Sequence, residues 1–349
     1  MPLLCLLIIW ELALRAMPNE YKLKHSYLNA SDAQAKILFL GSSHAYFGID
    51  PALIPEPSFN SANVAQTLNY DYRIYKKYAS NLKKLEFILI PISYFTLFSR
   101  LEDGAESWRQ KNYTFYYGLK TEGDWESSLE SLSRPNRVNA MRLFDYYADK
   151  QHKVNCTDLG YGVAYKTAKH QDLDKTGALA AKRHTKPGLP FYDYNREILI
   201  KFIELANARG VTVIFYTPPA AIAYSQNLEE KQLSLTVDTM VGLDNEYEKV
   251  FYVNLLNEAS FTAQDFYDGD HLSGSGAIKL TGRLYGLIKE IRAARQGENW
   301  KKKSFSRAIS DLEKLTVLAR RALSIQTPSS SSCGPSSSEP ESAGCPVRS

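Results

Sequence analysis

The sequence predicts an α/β fold built around a central parallel sheet. Residues 36–41 and 85–90 are short apolar runs, which are typical of strands buried on both faces. Residues 66–84, between them, carry apolar and aromatic side chains at helical spacing. Strand, turn, helix and strand in this order form a βαβ unit. The chain has 349 residues, of which 44% are hydrophobic and 23% charged, so it is long enough to bury a substantial core.

The same alternation continues in the second half of the chain. Residues 195–209 form a predicted amphipathic helix that ends at Gly210, and residues 211–216 form a third strand. The remaining predicted elements are a helix, a fourth strand and a closing helix, at residues 226–247, 250–255 and 276–295. Residues 100–190 lose this regularity, and we expect them to form an insertion or cap over the sheet. The predicted domain spans residues 33–297.

The charge balance does not indicate a nucleic-acid partner, because 42 basic and 38 acidic residues are interspersed and give a net charge of only +4. The four cysteines lack the spacing of a metal site or a disulfide framework, and the sequence predicts no metal and no cofactor. Residues 326–349 are rich in Ser and Pro and are predicted to be disordered. A bridge between Cys333 and Cys345, formed in an oxidising compartment, would close only this tail.

Residues 1–17 are predicted to be an N-terminal membrane anchor. They are largely apolar apart from Glu11 and Arg15, but a full span needs about 20 apolar residues, so the anchor is several residues short. The segment also lacks the basic start and the cleavage site of a secretory signal. A cleaved signal and a buried or capping helix are the alternatives. Arg15, Lys22 and Lys24 would keep the domain cytoplasmic by the positive-inside rule, a count that fails if the natural chain begins further upstream.

Two short motifs indicate the chemistry. Gly41-Ser42-Ser43-His44 stands at the end of the first predicted strand, and Asp268-Gly269-Asp270-His271 follows the fourth. A serine on a strand-to-helix turn, together with Asp-x-x-His, can supply a nucleophile, a general base and an orienting carboxylate. Loops at the carboxyl ends of parallel strands converge on one crevice, so the two motifs can meet although more than half of the chain separates them.

These motifs resemble those of the SGNH or GDSL hydrolases, a flavodoxin-like group of esterases and acyl-transfer proteins, over residues 36–295. Gly41-Ser42-Ser43 is similar to the family's Gly-Asp-Ser block, with Ser42 in place of the Asp. The later motif is similar to its Asp-x-x-His block. The resemblance implies a flavodoxin-like three-layer α/β/α sandwich in which Ser43 is the nucleophile, His271 the base and Asp268 its partner.

The resemblance also implies an oxyanion hole, and there the sequence departs from the family pattern. The backbone N–H of Ser43 is the first implied donor. Ala65 stands where the family has a glycine, which leaves the backbone N–H in place. Ser93 stands where the family has an asparagine, so a hydroxyl replaces an amide donor. Asn63 is an alternative donor.

The Gly-Ser-Ser-His variant and the N-terminal segment are similar to a membrane-anchored subgroup of bacterial cell-envelope proteins. That subgroup includes the D-alanyl transfer protein of teichoic acid modification and acetyltransferases of exopolysaccharides. The similarity implies a cell-membrane location with an extracytoplasmic catalytic domain. It also implies an acylated carbohydrate or another small ester as substrate, and a membrane acyltransferase as a partner.

Several alternatives stay open for individual residues. His44 is a second candidate for the base, although its position next to Ser43 favours a direction into the following helix. Asp270 is a second candidate for the carboxylate, but a carboxylate three residues before His271 curls under the imidazole more easily than an adjacent one. Trp108 and Arg109 are candidates for contact with an anionic or sugar group. The other histidines lack metal-ligand spacing and are predicted to face solvent: His25, His152, His170 and His184.

Two rival functions come from other classes. The usual Asp, Gly and Asn of the family are replaced in this chain, which supports a catalytically inactive envelope scaffold or a polysaccharide-binding protein. A nucleotide-binding flavodoxin-like domain is disfavoured, because no Gly-rich phosphate loop follows the first strand.

Overall fold

The computed structural model describes residues 2–119, 129–132, 135–150 and 154–296. Its centre is a five-stranded sheet in the order β2-β1-β3-β4-β5, in which every neighbouring pair is parallel. The strands are β1 Ile37–Phe39, β2 Ser58–Asn60, β3 Phe87–Pro91, β4 Thr212–Thr217 and β5 Val250–Asn254. The predicted α/β fold is confirmed, and this strand order is the flavodoxin-like one.

Four of the strands lie within two residues of their predicted ends, whereas the sequence does not predict β2. This strand has three residues, which pair with β1 from Ser58 opposite Ile37 to Asn60 opposite Phe39. Three residues are too few to show a period. The strand is therefore defined by its pairing with β1, which is a tertiary contact.

The described residues contain eleven α-helices. In chain order they are α1 Pro2–Ala16, α2 Glu20–Asn29, α3 Ser43–Tyr46, α4 Leu68–Tyr78, α5 Gln110–Tyr117, α6 Asn136–Tyr147, α7 Leu173–His184, α8 Tyr192–Ala208, α9 Ile222–Ser225, α10 Glu230–Glu246 and α11 Gly274–Gln296. The long stretch between β3 and β4 contains α5 to α8. The cap and the domain boundaries stay predictions.

The alternation of side chains along the strands divides the core into two layers. Leu38 and Ile88 point into one layer, with side chains of α2, α4, α8 and α10. Ile37 and Phe87 point into the other, with side chains of α3 and α11. Both faces of the sheet are therefore covered, as continuous apolar strands require.

In the described part of the chain, no single helix is long and apolar enough to cross a bilayer. The pair α1 and α2 meets the length and composition criteria only when taken together, and the two helices are bent by 68° at their junction. The predicted disordered tail, the Cys333–Cys345 bridge and His152 lie outside the described residues.

Candidate active site

The turn that carries Ser43 depends on a glycine. Gly41, just beyond β1, has a φ of +111°, and a Cβ atom there would lie 2.4 Å from Cδ of Pro91 at the end of β3. Only glycine fits this close approach of two strand ends. Ser42 then precedes the first turn of α3, and Ser43 is the first residue of that helix. The half-buried Ser43 side chain thus lies beside the point where the chain changes winding direction, which is where ligands bind in such folds.

The loop that carries His271 is fixed by α7 and α9. A Cβ atom on Gly269 would lie 2.2 Å from Cα of Gly177 in α7, so the two backbones touch. The amide of Gly269 donates a hydrogen bond to Thr176 Oγ1 at 2.9 Å, and its carbonyl accepts one from the amide of Ala221 at 3.0 Å. The loop between residues 268 and 271 is therefore held on both sides by backbone contacts.

Ser43, His271 and Asp268 form a continuous hydrogen-bonded series. Ser43 Oγ lies 2.9 Å from Nε2 of His271. Nδ1 of His271 lies 3.0 and 3.1 Å from the two carboxylate oxygens of Asp268. Asp268 Oδ1 also accepts the amide N–H groups of Asp270 and His271, at 3.1 and 2.8 Å. This carboxylate is held by its own loop, in a geometry that places a proton on Nδ1 and leaves Nε2 free to accept one from Ser43.

The surroundings of His271 favour its charged form. Burial lowers the pKa of the imidazole, but the charge of Asp270 and the hydrogen bond and charge of Asp268 outweigh burial and raise the pKa above its usual value. The ring of Tyr165 stands edge-on to His271 with centroids 5.4 Å apart. The His271 side chain is still 14% exposed. A partly exposed base with a raised pKa suits proton exchange with a substrate near neutral pH.

A second buried series runs beside the first. Ser93 Oγ lies 2.7 Å from Nδ1 of His44, and Nε2 of His44 lies 3.3 Å from Oδ2 of Asp270. Oδ1 of Asp270 is 3.6 Å from Nδ1 of His271, so the two series meet at that imidazole. Asp270 also reaches His271 although the two residues are adjacent in sequence, because the loop turns back and both carboxylates face the same nitrogen. Asp268 is the nearer of the two.

His44 is neutral and lies in the core rather than at the nucleophile. Burial lowers its pKa, and the hydrogen bond to Asp270 offsets this only in part. Burial raises the pKa of Asp270, but the charge on His271 and the hydrogen bond to His44 outweigh burial and hold the pKa well below its usual range. A neutral His44 beside an ionised Asp270 donates from Nε2 and accepts at Nδ1, so the hydroxyl hydrogen of Ser93 points to His44.

The residues expected to form the oxyanion hole lie in three different settings. The Ser93 hydroxyl is bound to His44, and the side-chain amide of Asn63 donates to Gln66 Oε1 at 2.8 Å. The backbone amide of Asn63 donates to the carbonyl of Gly41 at 3.2 Å, which holds the loop of residues 61–65 next to the nucleophile turn. Within the described residues, the backbone amides of Ser43 and Ala65 donate no hydrogen bond. These two amides are the donors that the structure leaves free.

Asp71 binds both the turn that carries Ser43 and the loop of residues 61–66, and the sequence does not predict this role. Its Oδ1 accepts the amide of Gly41 at 2.8 Å and the side-chain amide of Gln66 at 2.6 Å. Burial raises the pKa of Asp71 to about 7, with the hydrogen bonds from Gln66 and Gly41 acting in the opposite direction. Asp71 thus joins the nucleophile turn to the loop that carries Asn63 and Ala65.

Trp108 and Arg109 lie in a different place. They line a polar cavity of about 320 Å³ beside the junction of α1 and α2, together with Asn19, Asn112 and Tyr116, and the lining does not include the triad. Lys111 and Arg142, which also line it, both pair with Glu130, at 2.6 and 3.0 Å.

The prediction that the remaining histidines face solvent is wrong for His184 and incomplete for His25. His184 is 12% exposed, and its Nδ1 lies 2.9 Å from the hydroxyl of Tyr224 and 3.8 Å from Asp270. Burial lowers its pKa to about 3. His25 is half-buried and lies 2.6 Å from the Tyr78 hydroxyl, whereas His170 is exposed. His44, Asp270 and His271 lie close enough to share a metal ion, although their ligand atoms already pair with one another.

No protein-family model and no curated protein matches the chain. Similar solved structures exist. One is a protein from Streptococcus pneumonia provisionally named as a platelet activating factor, with 12% identity, coverage of 82% of this chain and 97% of that chain, and a TM-score of 0.41. A GDSL-like lipase from Bacteroides thetaiotaomicron has 13% identity over 78% of this chain and 99% of its own, with a TM-score of 0.39. A protein from Bacteroides fragilis provisionally named as an acylhydrolase has 13% identity over 78% and 95%, with a TM-score of 0.38. At these identities and TM-scores, the likeness assigns no activity to this chain.

Proposed function

We propose that this protein is a serine-dependent esterase or O-acyltransferase that acts on acyl esters through an acyl-enzyme. The observation that carries the proposal is the succession Ser43 Oγ, His271 and Asp268, with each contact at 2.9 to 3.1 Å. A hydroxyl, a base in reach of its proton and a carboxylate on the far side of the base are the groups that acyl transfer needs.

In the proposed reaction, Ser43 Oγ attacks the ester carbonyl carbon while its proton moves to Nε2 of His271. Asp268 stabilises the imidazolium that forms, and the backbone amides of Ser43 and Ala65 hold the oxyanion of the tetrahedral intermediate. The intermediate collapses when the ester C–O bond breaks and the leaving alcohol takes the proton from His271. The acyl group then stays on Ser43 until water or a sugar hydroxyl attacks it, with His271 removing the proton from the attacking oxygen. The bond between the acyl carbon and Ser43 Oγ then breaks, and His271 returns the proton to Oγ.

The nucleophile is tested by hydrolysis of p-nitrophenyl acetate, with Ser43→Ala compared with Ser42→Ala. Ser42 is a matched control because its hydroxyl is buried next to the nucleophile and has no hydrogen-bond partner among the described residues. We expect Ser43→Ala to lower the rate of hydrolysis by a factor of about 10⁴ or more, and Ser42→Ala to retain most of the wild-type rate. Equal rates in wild type and Ser43→Ala would contradict the proposal.

An acylated carbohydrate is the proposed substrate, and the cavity at Trp108 is the proposed site for its sugar chain. Three acidic and three basic side chains line the cavity, and Glu130 pairs with both Lys111 and Arg142. Their formal charges cancel, so the polar lining suits an uncharged, hydroxyl-rich ring. Trp108 and Arg109 line this cavity together, with the Arg109 guanidinium 4.4 Å from the centre of the Trp108 ring, and we place the sugar chain against this pair. We expect Trp108→Ala to raise the KM for an acetylated oligosaccharide but not for p-nitrophenyl acetate. An equal change for both substrates would contradict this placement.

We also propose that α1 attaches the protein to the cell membrane, with the domain on the extracytoplasmic side and a membrane acyltransferase as partner. Glu11 of α1 accepts hydrogen bonds from the amides of Glu130 and Ser131, at 2.9 and 2.8 Å, so its carboxylate points toward the rest of the protein. The solvent-exposed face of α1 is apolar, with Leu6 at 62% and Ile9 at 61% exposed.

Liposome flotation of the full chain tests the attachment. We expect the double substitution of Leu6 and Ile9 by Asp to release the protein from vesicles. Ile278→Asp is the matched control, because Ile278 is 59% exposed on α11 and should not affect flotation. Flotation that is unaffected by the changes in α1 would contradict the membrane proposal.

A catalytically inactive envelope scaffold is the second candidate function. The side chains of Ser93 and Asn63 already form hydrogen bonds within the protein, so an oxyanion hole would depend on backbone amides alone. This dependence favours the scaffold. A folded wild type that shows no Ser43-dependent turnover, but binds the acetylated oligosaccharide, would favour the scaffold over the enzyme.

A further inference from the structure

We propose that Asp270 is a second carboxylate partner of His271, held in place by His44 and Ser93, and that it shares with Asp268 the stabilisation of the charged imidazole. The inference rests on the proposed function where it concerns catalysis, but the pairing itself is a property of the site. Asp270 touches His271 and not the reacting atoms, so it is a positioning residue.

The geometry places two carboxylates on one nitrogen. Nδ1 of His271 lies 3.0 Å from Oδ1 of Asp268 and 3.6 Å from Oδ1 of Asp270. The second distance is longer than a hydrogen bond but well within the range in which an opposite charge acts on a titratable group. Asp268 is 16% exposed and Asp270 only 3%, so the charge of Asp270 is less screened by water.

A buried ionised carboxylate needs donors, and His44 supplies one. Its Nε2 lies 3.3 Å from Oδ2 of Asp270, while Oδ1 of the same carboxylate faces His271. Ser93 Oγ lies 2.7 Å from Nδ1 of His44 and fixes the ring from the other side. Ser93, His44 and Asp270 thus repeat the order of a Ser-His-Asp triad. All three side chains are buried, at 2%, 6% and 3% exposed, so this second series acts on His271 and not on a substrate.

Charged and titratable groups from α7 also face Asp270. Nη2 of Arg183 lies 3.9 Å from its Oδ1, and Nδ1 of His184 lies 3.8 Å from its Oδ2. The Arg183 side chain is 62% exposed, so its charge is screened, and His184 is neutral because burial lowers its pKa to about 3. His271 is therefore the cation closest to Asp270. The charge of Arg183 also acts on His271 and lowers its pKa. The other described neighbours of His271 are uncharged: the hydroxyl of Ser43, the rings of Phe47 and Tyr165, and the neutral ring of His44.

The direct test is an NMR titration of the imidazole nitrogens in the 15N-histidine-labelled full chain, with His271 assigned by its loss in His271→Gln. Asp270→Asn keeps an oxygen that can accept from His44 and removes only the charge. We expect the pKa of His271 to fall by about 1 to 3 units in this variant, the range for a charge at this distance. An unchanged pKa for His271 would overturn the proposal.

Asp265→Asn is the matched control. Asp265 is also 3% exposed and carries its own ion pair to Lys279 at 2.6 Å, so its loss removes a buried carboxylate from the same region. It should leave the His271 pKa unchanged. A shift as large as that of Asp270→Asn would overturn the proposal, because it would make the effect a general consequence of destabilising the loop.

The wild-type spectrum provides an independent test if Asp270→Asn does not fold. The proposed pairing requires that His44 carry its proton on Nε2 and stay neutral across the titration. A protonated Nδ1 on neutral His44 would overturn the proposal, because Nε2 could not then donate to Asp270.

Activity provides the last test and separates this inference from the proposed function. If two carboxylates share one imidazole, Asp268→Asn should lose about 10- to 100-fold in kcat/KM, and Asp268→Asn combined with Asp270→Asn about 10⁴-fold. A double variant no worse than Asp268→Asn would overturn the shared role. If Ser43 proves not to be a nucleophile while Asp270→Asn still lowers the pKa of His271, the pairing stands and the proposed function falls.

Discussion

Replacing Asp71 by asparagine is expected to change the stability of the protein in a pH-dependent manner, in favour of the variant as the pH rises. Asp71 is 1% exposed, and its Oδ1 accepts both the amide of Gly41 and the side-chain amide of Gln66. An asparagine oxygen can accept the same two bonds, so the substitution keeps the contacts and removes the titratable proton. The nucleophile turn should keep its shape.

The magnitude follows from the pKa of this carboxyl. Burial raises the pKa of Asp71 from 3.8 to about 7, so the folded state holds its proton where the unfolded state has lost it. The stabilising contribution of this group is complete below pH 3.8 and is lost as the pH rises through about 7. Each pKa unit corresponds to about 1.4 kcal/mol, so the loss is about 4 kcal/mol in full and about 3 kcal/mol between pH 5 and pH 8. The amide side chain of the Asp71→Asn variant cannot titrate and avoids this loss.

The measurement is urea unfolding of wild type and Asp71→Asn at pH 5 and pH 8, at matched ionic strength. We expect the free energy of unfolding of the variant, relative to wild type, to rise by about 3 kcal/mol from pH 5 to pH 8. At a single pH, the difference in free energy of unfolding between variant and wild type also includes the cost of burying the new amide donor. That cost is the same at both pH values, so it cancels when the two differences are subtracted. A relative stability that is the same at both pH values would refute the reasoning.

Three further predictions concern the site itself. Gly41→Ala should lower the free energy of unfolding, measured in urea, by about 3 kcal/mol or more, because its Cβ would meet Pro91 at 2.4 Å and its φ is +111°. A loss smaller than about 1 kcal/mol would contradict the close approach of Gly41 and Pro91. Ser93→Ala should lower kcat by less than about tenfold, because its hydroxyl hydrogen points to His44, whereas the loss of an oxyanion donor costs about 10²- to 10³-fold. The value of kcat/KM should fall about tenfold per pH unit on the acid side of an apparent pKa above 6.5, because His271 must be neutral to act as base and its pKa is raised. An apparent pKa below 6.5 would contradict the effect of the two carboxylates on His271.

Local sequence patterns predict most of the sheet and the two motifs that meet in the site. β3 and β4 are long enough to show as apolar runs, and the turn at Gly41 and the loop at His271 follow strands whose carboxyl ends must share one edge. The three residues of β2 carry no period of their own, so that strand depends on pairing with β1.

The second buried series could not be predicted from the sequence, because tertiary packing sets it. The position of His44 next to the nucleophile favours a direction along α3, but Ser93 and Asp270 both reach its ring. His184 ends a basic last turn of α7 that looks like a solvated face, yet packing against Tyr224 buries it. The one available signal is the presence of two aspartates, at 268 and 270, in the motif before His271. The sequence presents them as alternatives, whereas the loop uses both.

The central claim, that Ser43 is an activated nucleophile, is tested most directly by a serine-reactive fluorophosphonate probe. The folded full chain is incubated with the probe, and the modified residue is located by mass spectrometry of the digested protein. The proposed function predicts a single phosphonylated residue at Ser43 in wild type and in Ser42→Ala, and strongly slowed labelling in His271→Gln, because Nε2 of His271 takes the Ser43 proton. Absence of labelling at Ser43 in folded wild type, or labelling at the same rate in His271→Gln, would contradict it.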